Sequence, residues 1–409
     1  MTIELMRRLD YCLGIPLCFV LMIIHSFSRL RLFVFREDKD RTPQKILFIK
    51  LSEMGGVILS YPLIKRIEEE YPQAKRFFLT FDKNKPVFKV KVLDVVHNIL
   101  TIREDSICLF ILDTLRVIKK LRKENIDVVF DLELFSRFTA MLTYLTKATK
   151  RIGFYQYSFE GLYRGNLLTH KVQYNSLIHI SKAFLSLSQV IKAEKKISPE
   201  LKKIISDNEI ALPGFIPSEK DRERALNRLR SLGMSKGVRL FLINPGEGTI
   251  PLREWPLENF IALSKDILKD SRNYIIVVGN VDLSNKAKRF CETLDGNRCI
   301  NLNGKTTLSE LLTLFNIAEA LISYDCGLAH IASLTSIKKF VIFGPDTPQV
   351  HSPLGVNTYI IYSNFPCSPC FSAFNHRKSA CRNNKCLKAI KPDEVYEILK
   401  PVLSVGDKK

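Results

Sequence analysis

The stretch Ile322-Ser-Tyr-Asp-Cys-Gly-Leu-Ala-His330 joins the end of an apolar strand to the start of a helix, with Asp325, Gly327 and His330 between them. Such a turn builds a site at the carboxyl edge of a parallel sheet. Backbone N–H groups at the helix start suit an anion. Gly327 lets backbone approach a ligand closely, and Asp325 can accept hydrogen bonds from sugar hydroxyls. A plainer reading stands beside it: Asp325 caps the helix, and His330 is a satisfied core histidine.

A second loop, Asn244-Pro-Gly-Glu-Gly-Thr249, follows another strand, with Arg253-Glu-Trp-Pro256 just beyond. Amides around Gly246 and the Thr249 hydroxyl can bind phosphate oxygens, and Arg253 offers a two-pronged fork to a diphosphate. No Gly-Lys-Ser/Thr follows, so this is not a Walker loop, and the Gly-x-Gly-x-x-Gly spacing is absent. A plain turn beside a packed Trp255 explains it equally well. Phe343-Gly-Pro-Asp-Thr-Pro348 ends a later strand, and Asp346 and Thr347 there are polar enough to line a ligand site, a structural turn being the equal alternative.

Earlier in the chain, Leu51-Ser-Glu-Met-Gly-Gly-Val57 places Ser52 and Glu53 beside two glycines that admit close approach. Asp131-Leu-Glu133 ends a neighbouring strand, with Ser136 and Arg137 after it. Glu53, Asp131 and Glu133 are therefore candidate general bases, Asp131 having helix capping as its alternative. Late in the chain come Cys367-x2-Cys370 and Cys381-x4-Cys386 with His376 between. Four thiolates at these spacings could hold structural zinc; buried thiols or a redox-labile pair are the alternatives. The other six of the ten cysteines are scattered singly.

The elements that must carry these groups alternate. Strands are expected at Lys45–Leu51, Arg76–Thr80 and Ile126–Asp131, with helices ending near Glu70, over Leu109–Lys123 and from about Phe135. After a polar, proline-bearing crossover at about Ala193–Lys220 the alternation restarts. Strands are expected at Arg239–Asn244, Tyr274–Gly279, Ala320–Tyr324 and Lys339–Gly344, with helices at Leu257–Leu268 and Pro392–Leu403. This spacing predicts an α/β chain of two doubly wound, Rossmann-like domains facing each other across a cleft. The expected divisions are 1–42, an apolar and basic segment; 43–205, the N-terminal domain; and 206–409, the C-terminal domain.

Length and composition agree: 409 residues suit two conventional domains, and 46% hydrophobic with 25% charged residues is a globular balance. The formal charge of +20 is spread along the chain and attracts polyanions without naming them. A nucleic-acid-binding protein is not expected, because no motif interleaves aromatic with basic residues. Leu13 to Phe27 is apolar, flanked by Arg7-Arg8 and by Arg29, Arg31 and Arg36. It is shorter than the roughly 20 residues a spanning helix needs, and Pro16 interrupts it. That pattern predicts association with the anionic inner face of a membrane rather than a secretory leader, with an N-terminal helix packed on the protein itself as the alternative, and a reducing, cytosolic setting.

Five motifs in order now resemble a known family: the Met54-Gly55-Gly56 loop, the Asn-Pro-Gly loop with its Arg and Trp-Pro, the Asp-x-Gly-Leu-x-His turn, the Phe-Gly-Pro turn and the late cysteines. Together, from about Lys45 onward, they look like the glycosyltransferase family 9 heptosyltransferases of lipopolysaccharide core assembly. The resemblance implies a GT-B fold and an inverting transfer of a heptose-like sugar without a required metal. It implies a nucleotide diphosphate sugar donor such as ADP-heptose and a lipid-linked glycan acceptor at the inner face of the cytoplasmic membrane. It carries the nucleotide-binding Asp and His onto Asp325 and His330, a phosphate-contacting hydroxyl onto Thr249 and a basic donor-site residue, usually Lys, onto Arg253. The family loop commonly reads Met-Gly-Asp, and that Asp is its proposed base; here Gly56 stands in its place. Glu53, in the same loop, is the first substitute, with Asp131 and Glu133 after it. A catalytically inactive glycan- or nucleotide-binding partner of a transferase is the alternative that Gly56 raises.

Overall fold

The computed structural model describes residues 1–32, 42–90, 93–155, 162–193, 204–246, 250–279, 284–294 and 297–404. Two compact units are present, Met1–Ile210 and Ala211–Lys409.

Unit 1 carries a parallel six-stranded sheet: β1 (Lys45–Ile49), β2 (Lys75–Phe81), β3 (Asn98–Ile102), β4 (Val128–Asp131), β5 (Lys150–Tyr155) and β6 (His170–Gln173), in the order β3-β2-β1-β4-β5-β6. The central strands are apolar on both faces because helices cover both, and Phe48 stacks on Phe130 at 5.3 Å. The strand order reverses between β1 and β4. Parallel sheets open a crevice beyond the strand ends at that point. Register pairs Ile49 with Asp131, so residues 51–53 and 131–133 emerge side by side.

Unit 2 repeats the plan with β7 (Arg239–Ile243), β8 (Asn273–Val277), β9 (Cys299–Asn301), β10 (Ala320–Tyr324), β11 (Lys338–Phe343) and β12 (Thr358–Tyr362), in the order β12-β11-β10-β7-β8-β9. Its reversal lies between β7 and β10, where the Asn244 N–H donates to Ile322 O at 3.0 Å. The helix Leu257–Ile267 and the closing helix Pro392–Leu403 cover one side, and buried Trp255 donates its ring N–H to Ile390 O at 3.0 Å.

The N-terminal segment, expected to stand apart, is built into unit 1. Helix Ile3–Cys12 runs into helix Gly14–Leu32. Pro16 does not interrupt the second helix. It sits in the first turn, where a missing N–H is tolerated. The helical stretch Glu4–Phe27 is long and apolar enough to cross a membrane by length and composition alone. One face is nevertheless committed to protein. Asp10 accepts the Arg137 and Phe138 amides at 3.0 and 2.9 Å, and Cys18 is fully buried. Gly14 leaves room for Arg137, whose Cβ would lie 2.8 Å from an added methyl.

Candidate functional site

The unit 2 residues gather at the β7/β10 reversal. Asp325, which follows β10, is 4% exposed, and Arg253, on a short 3-10 turn after the β7 loop, is 9% exposed. Arg253 Nε lies 3.4 Å from Asp325 Oδ2, and its NH2 donates to Asp346 Oδ2 at 2.9 Å. Asp346 is buried just beyond β11 and also faces Arg377 Nε at 3.7 Å and His351 Nε2 at 3.8 Å. The Arg377 guanidinium meets the His351 ring at 2.8 Å, and the Arg253 guanidinium lies over the Phe371 ring at 5.9 Å. Two carboxylates thus hold one guanidinium in a fixed orientation, which a buried cation needs to offset desolvation.

Gly246 has φ +122°, a backbone conformation that favours glycine, and an added methyl would lie 3.1 Å from Glu254 Oε2. Glu254 pairs with Lys286 at 2.7 Å. Thr249 lies outside the described residues. Gly327 opens the six-residue helix Gly327–Ala332, which carries His330 inward, 7% exposed. Six residues make a small dipole, so charge in this site is set mainly by the arginines and carboxylates. The Cys326 thiol lies 3.3 Å from both Asn244 Nδ2 and Ser323 Oγ, and burial pushes its pKa up.

The late segment contributes differently from the expectation. Cys367 is exposed, Cys370 and Cys381 are partly exposed and Cys386 is buried. Among the described residues no three His, Cys, Asp or Glu side chains gather as metal ligands, although Cys370, Cys367 and Cys381 all lie near enough to Cys386 to add to the rise in its pKa that burial causes. What the segment supplies is Arg377, Phe371 and Asn384. Asn384 Nδ2 bonds Glu254 O at 2.9 Å beside Arg253, and the Phe371 and Cys370 amides donate to Pro345 O at 2.8 and 3.0 Å. Gly344 is required below them, because an added Cβ would fall 2.4 Å from Leu387 Cγ. Neither Arg377 nor His351 was singled out in the sequence.

In unit 1 the three carboxylates separate by environment. Glu133 is saturated. Its Oε1 accepts the Leu51 and Ser52 amides at 2.8 and 2.7 Å and the Ser52 hydroxyl at 2.9 Å, and its Oε2 pairs with Lys50 Nζ at 3.0 Å. That clamp fixes the β1 loop and occupies both carboxylate oxygens. Asp131 is fully buried, accepts from Thr139 Oγ1 at 3.1 Å and lies 3.6 Å from buried Arg164 NH1. Burial raises its pKa to about 7 despite the nearby Arg164 charge and the Thr139 hydrogen bond. Gly153 on β5 makes room for it, an added Cβ meeting Asp131 Cβ at 3.3 Å.

Glu53 is exposed. Its φ of +53° is unusual for a residue with a side chain, and Phe135, across the β1/β4 reversal, has φ +64°. Strained backbone on both loops of one sheet-edge crevice is typical of functional sites. The room beside Gly56 is already taken: an added Cβ would lie 2.5 Å from Lys50 Cε and 3.4 Å from its Nζ.

The family model for glycosyltransferase family 9 (heptosyltransferase) matches residues 114–380. Lipooligosaccharide heptosyltransferase 2 of Haemophilus ducreyi is 23% identical over 337 residues, covering 78% of this chain and 88% of its own. The protein of the same name from Campylobacter jejuni is 24% identical over 170 residues, 41% of this chain and 52% of its own, so the chain spans about half that relative's length. The structure of E. coli ADP-heptose LPS heptosyltransferase II superposes with a TM-score of 0.68 at 20% identity, covering 89% of this chain and 99% of that one. A likeness at that identity shows the fold, which is GT-B.

Proposed function

This chain belongs to glycosyltransferase family 9, and from that premise we propose that it moves a heptose-like sugar, with inversion, from a nucleotide diphosphate donor to a lipid-linked glycan. The relatives are named for lipooligosaccharide and lipopolysaccharide, and a structural neighbour for ADP-heptose. ADP-heptose and a lipopolysaccharide-type core at the cytoplasmic face of the inner membrane are therefore the favoured donor and acceptor. The observation that carries the reading is the Arg253–Asp325–Asp346 arrangement at the strand-order reversal of unit 2.

In this reading unit 2 holds the donor. Asp325 and His330 receive the nucleoside, and Arg253, Thr249 and the Gly246 loop receive the diphosphate. Asp346, flanked by Arg377 and His351, holds the Arg253 guanidinium in place before reaction. A cation that need not reorganise stabilises the leaving diphosphate as its charge develops. Unit 1 supplies the base. Glu53 is favoured over Asp131 and Glu133 because it is exposed, whereas Asp131 is buried and Glu133 is bonded through both oxygens. The acceptor hydroxyl gives its proton to the Glu53 carboxylate as its oxygen bonds the anomeric carbon. The bond from that carbon to the diphosphate breaks on the opposite face, and the nucleoside diphosphate leaves.

Calorimetric titration of ADP-heptose into the unaltered chain, Asp325→Asn and Arg253→Gln tests the donor half. Each variant is expected to bind at least about tenfold more weakly, the loss of one hydrogen bond to a charged group. Equal affinity in variants that melt cooperatively overturns the reading.

A further inference from the structure

Helix Ile107–Glu124 of unit 1 is amphipathic in an unusual way. Its inner face buries Asp113, Val117 and Leu121. Its outer face leaves Ile107 46%, Ile111 52%, Leu112 48% and Leu115 59% exposed, with Cys108 exposed beside them. Residues four apart share a ridge on a helix. One ridge here reads Ile107, Ile111, Leu115, Lys119, Lys123, and its neighbour reads Cys108, Leu112, Arg116, Lys120. Both ridges change from apolar to basic at the same level, between Leu115 and Arg116. The basic residues at that end are exposed.

The start of this helix lies beside the start of the first N-terminal helix. The Met1 ammonium donates to Glu104 O and, at 3.4 Å, to Asp105 O, directly before the helix. Met6 packs with Phe110 and Phe138 against the same core. The N-terminal helices meanwhile expose Leu13, Leu17, Phe19, Val20, Ile24 and Phe27. Exposed apolar side chains grouped on one helix face and succeeded by lysine and arginine mark an interaction face. An anionic bilayer matches both halves: acyl chains take the apolar turns, and headgroup phosphates take the basic ones. The apolar part, Ile107–Leu115, is about 12 Å long, enough to reach the acyl boundary but not to cross it.

We propose that helix Ile107–Glu124 is a second membrane-contact element, seated beside the N-terminal helices with its first half in the interface and its basic half at the headgroups. The proposal rests on the membrane-bound reading given above and adds a contact which that reading does not need.

The test uses the full chain with Cys12→Ser and Cys367→Ser, and the same chain carrying Cys108→Ser as the blank, so that after subtraction of labelling at partly exposed thiols an environment-sensitive fluorophore reports from Cys108. Vesicles are phosphatidylcholine with or without phosphatidylglycerol. A blue shift on adding anionic vesicles is expected, and Ile111→Glu with Leu115→Glu should weaken vesicle binding at least about tenfold, since two inserted apolar side chains become charged. Protein that floats with the vesicles while the fluorophore keeps its aqueous emission overturns this proposal and leaves the membrane reading standing. Protein that never floats removes both. A shift that depends on protein concentration without vesicles, abolished with a dimer in the charged variant, assigns the stripe to a second copy and overturns the proposal. The two glutamates replace half-exposed side chains, and matching melting curves confirm folding; the Cys108 result stands without them.

Discussion

Replacing Gly56 with aspartate, alone and together with Glu53→Gln, separates the two ways unit 1 could activate an acceptor. The new Cβ would lie 2.5 Å from Lys50 Cε, so the lysine must swing aside and leave Glu133, now 3.0 Å from its ammonium. Both side chains are about nine-tenths buried, and abolishing such a pair outright costs about 3–5 kcal/mol. Here Glu133 keeps the Leu51 and Ser52 donors, and Lys50 gains the new carboxylate, so about 1–2 kcal/mol is expected for Gly56→Asp. That lowers the melting temperature by about 2–8 °C. Glu53→Gln alone should lower kcat by about 10²- to 10⁴-fold, the usual worth of a positioned base. With both changes, the introduced carboxylate stands where family 9 resemblance puts the base, and at least about tenfold of that loss should return. Release of nucleoside diphosphate in single turnovers, with donor saturating, measures each variant. If Glu53→Gln turns over within about threefold of the unaltered chain, the assignment of the base fails. If the double variant recovers nothing while binding donor normally, the claim that Gly56 vacates the catalytic position fails.

Two further outcomes concern buried charges. Burial raises the Asp131 pKa to about 7, so between about pH 4 and 7 the folded state holds a proton that the unfolded state has lost, and stability must fall as pH rises through that range. Melting temperatures followed across it should show a component that disappears in Asp131→Asn; an identical profile in the variant contradicts the cause. Lys339 on β11 is 1% exposed, and burial lowers its pKa to about 8. Below that pH its desolvation cost is fully present, and it is relieved as pH rises toward the unfolded value. Lys339→Met should therefore stabilise unit 2 at neutral pH by about 1–3 kcal/mol and flatten the rise above about pH 8, as read by urea unfolding; a destabilised variant would refute this.

Much of the architecture was legible because buried parallel strands are written as continuous apolar runs. β10 matches its expected span residue for residue, as does the closing helix Pro392–Leu403, and β1, β2, β4, β7, β8 and β11 differ only at their ends. The strands not anticipated were β3, β5, β6, β9 and β12. Four of these lie at sheet edges, where one side is unpaired and polar residues interrupt the run, as in Asn98, His170 and Asn301. β5 hides behind Lys150, Arg151 and a glycine that exists to accommodate Asp131. Pro16 misled for a related reason, since a proline within an apolar run reads as a break unless the turn it occupies is known.

By itself the sequence determined which loops could carry chemistry, since strand ends followed by glycine and a polar side chain are local features. Their order along the chain determined the family. Only the tertiary structure decided what each charged group is free to do. Asp346 reaches Arg253 from beyond β11, Arg377 reaches Asp346 from the late cysteine-bearing segment, and Glu133 reaches back 82 residues to clamp Leu51. Whether a carboxylate takes a proton, holds a loop or balances an arginine depends on its desolvation and on its neighbours. Those neighbours are distant in sequence, so no local pattern records them.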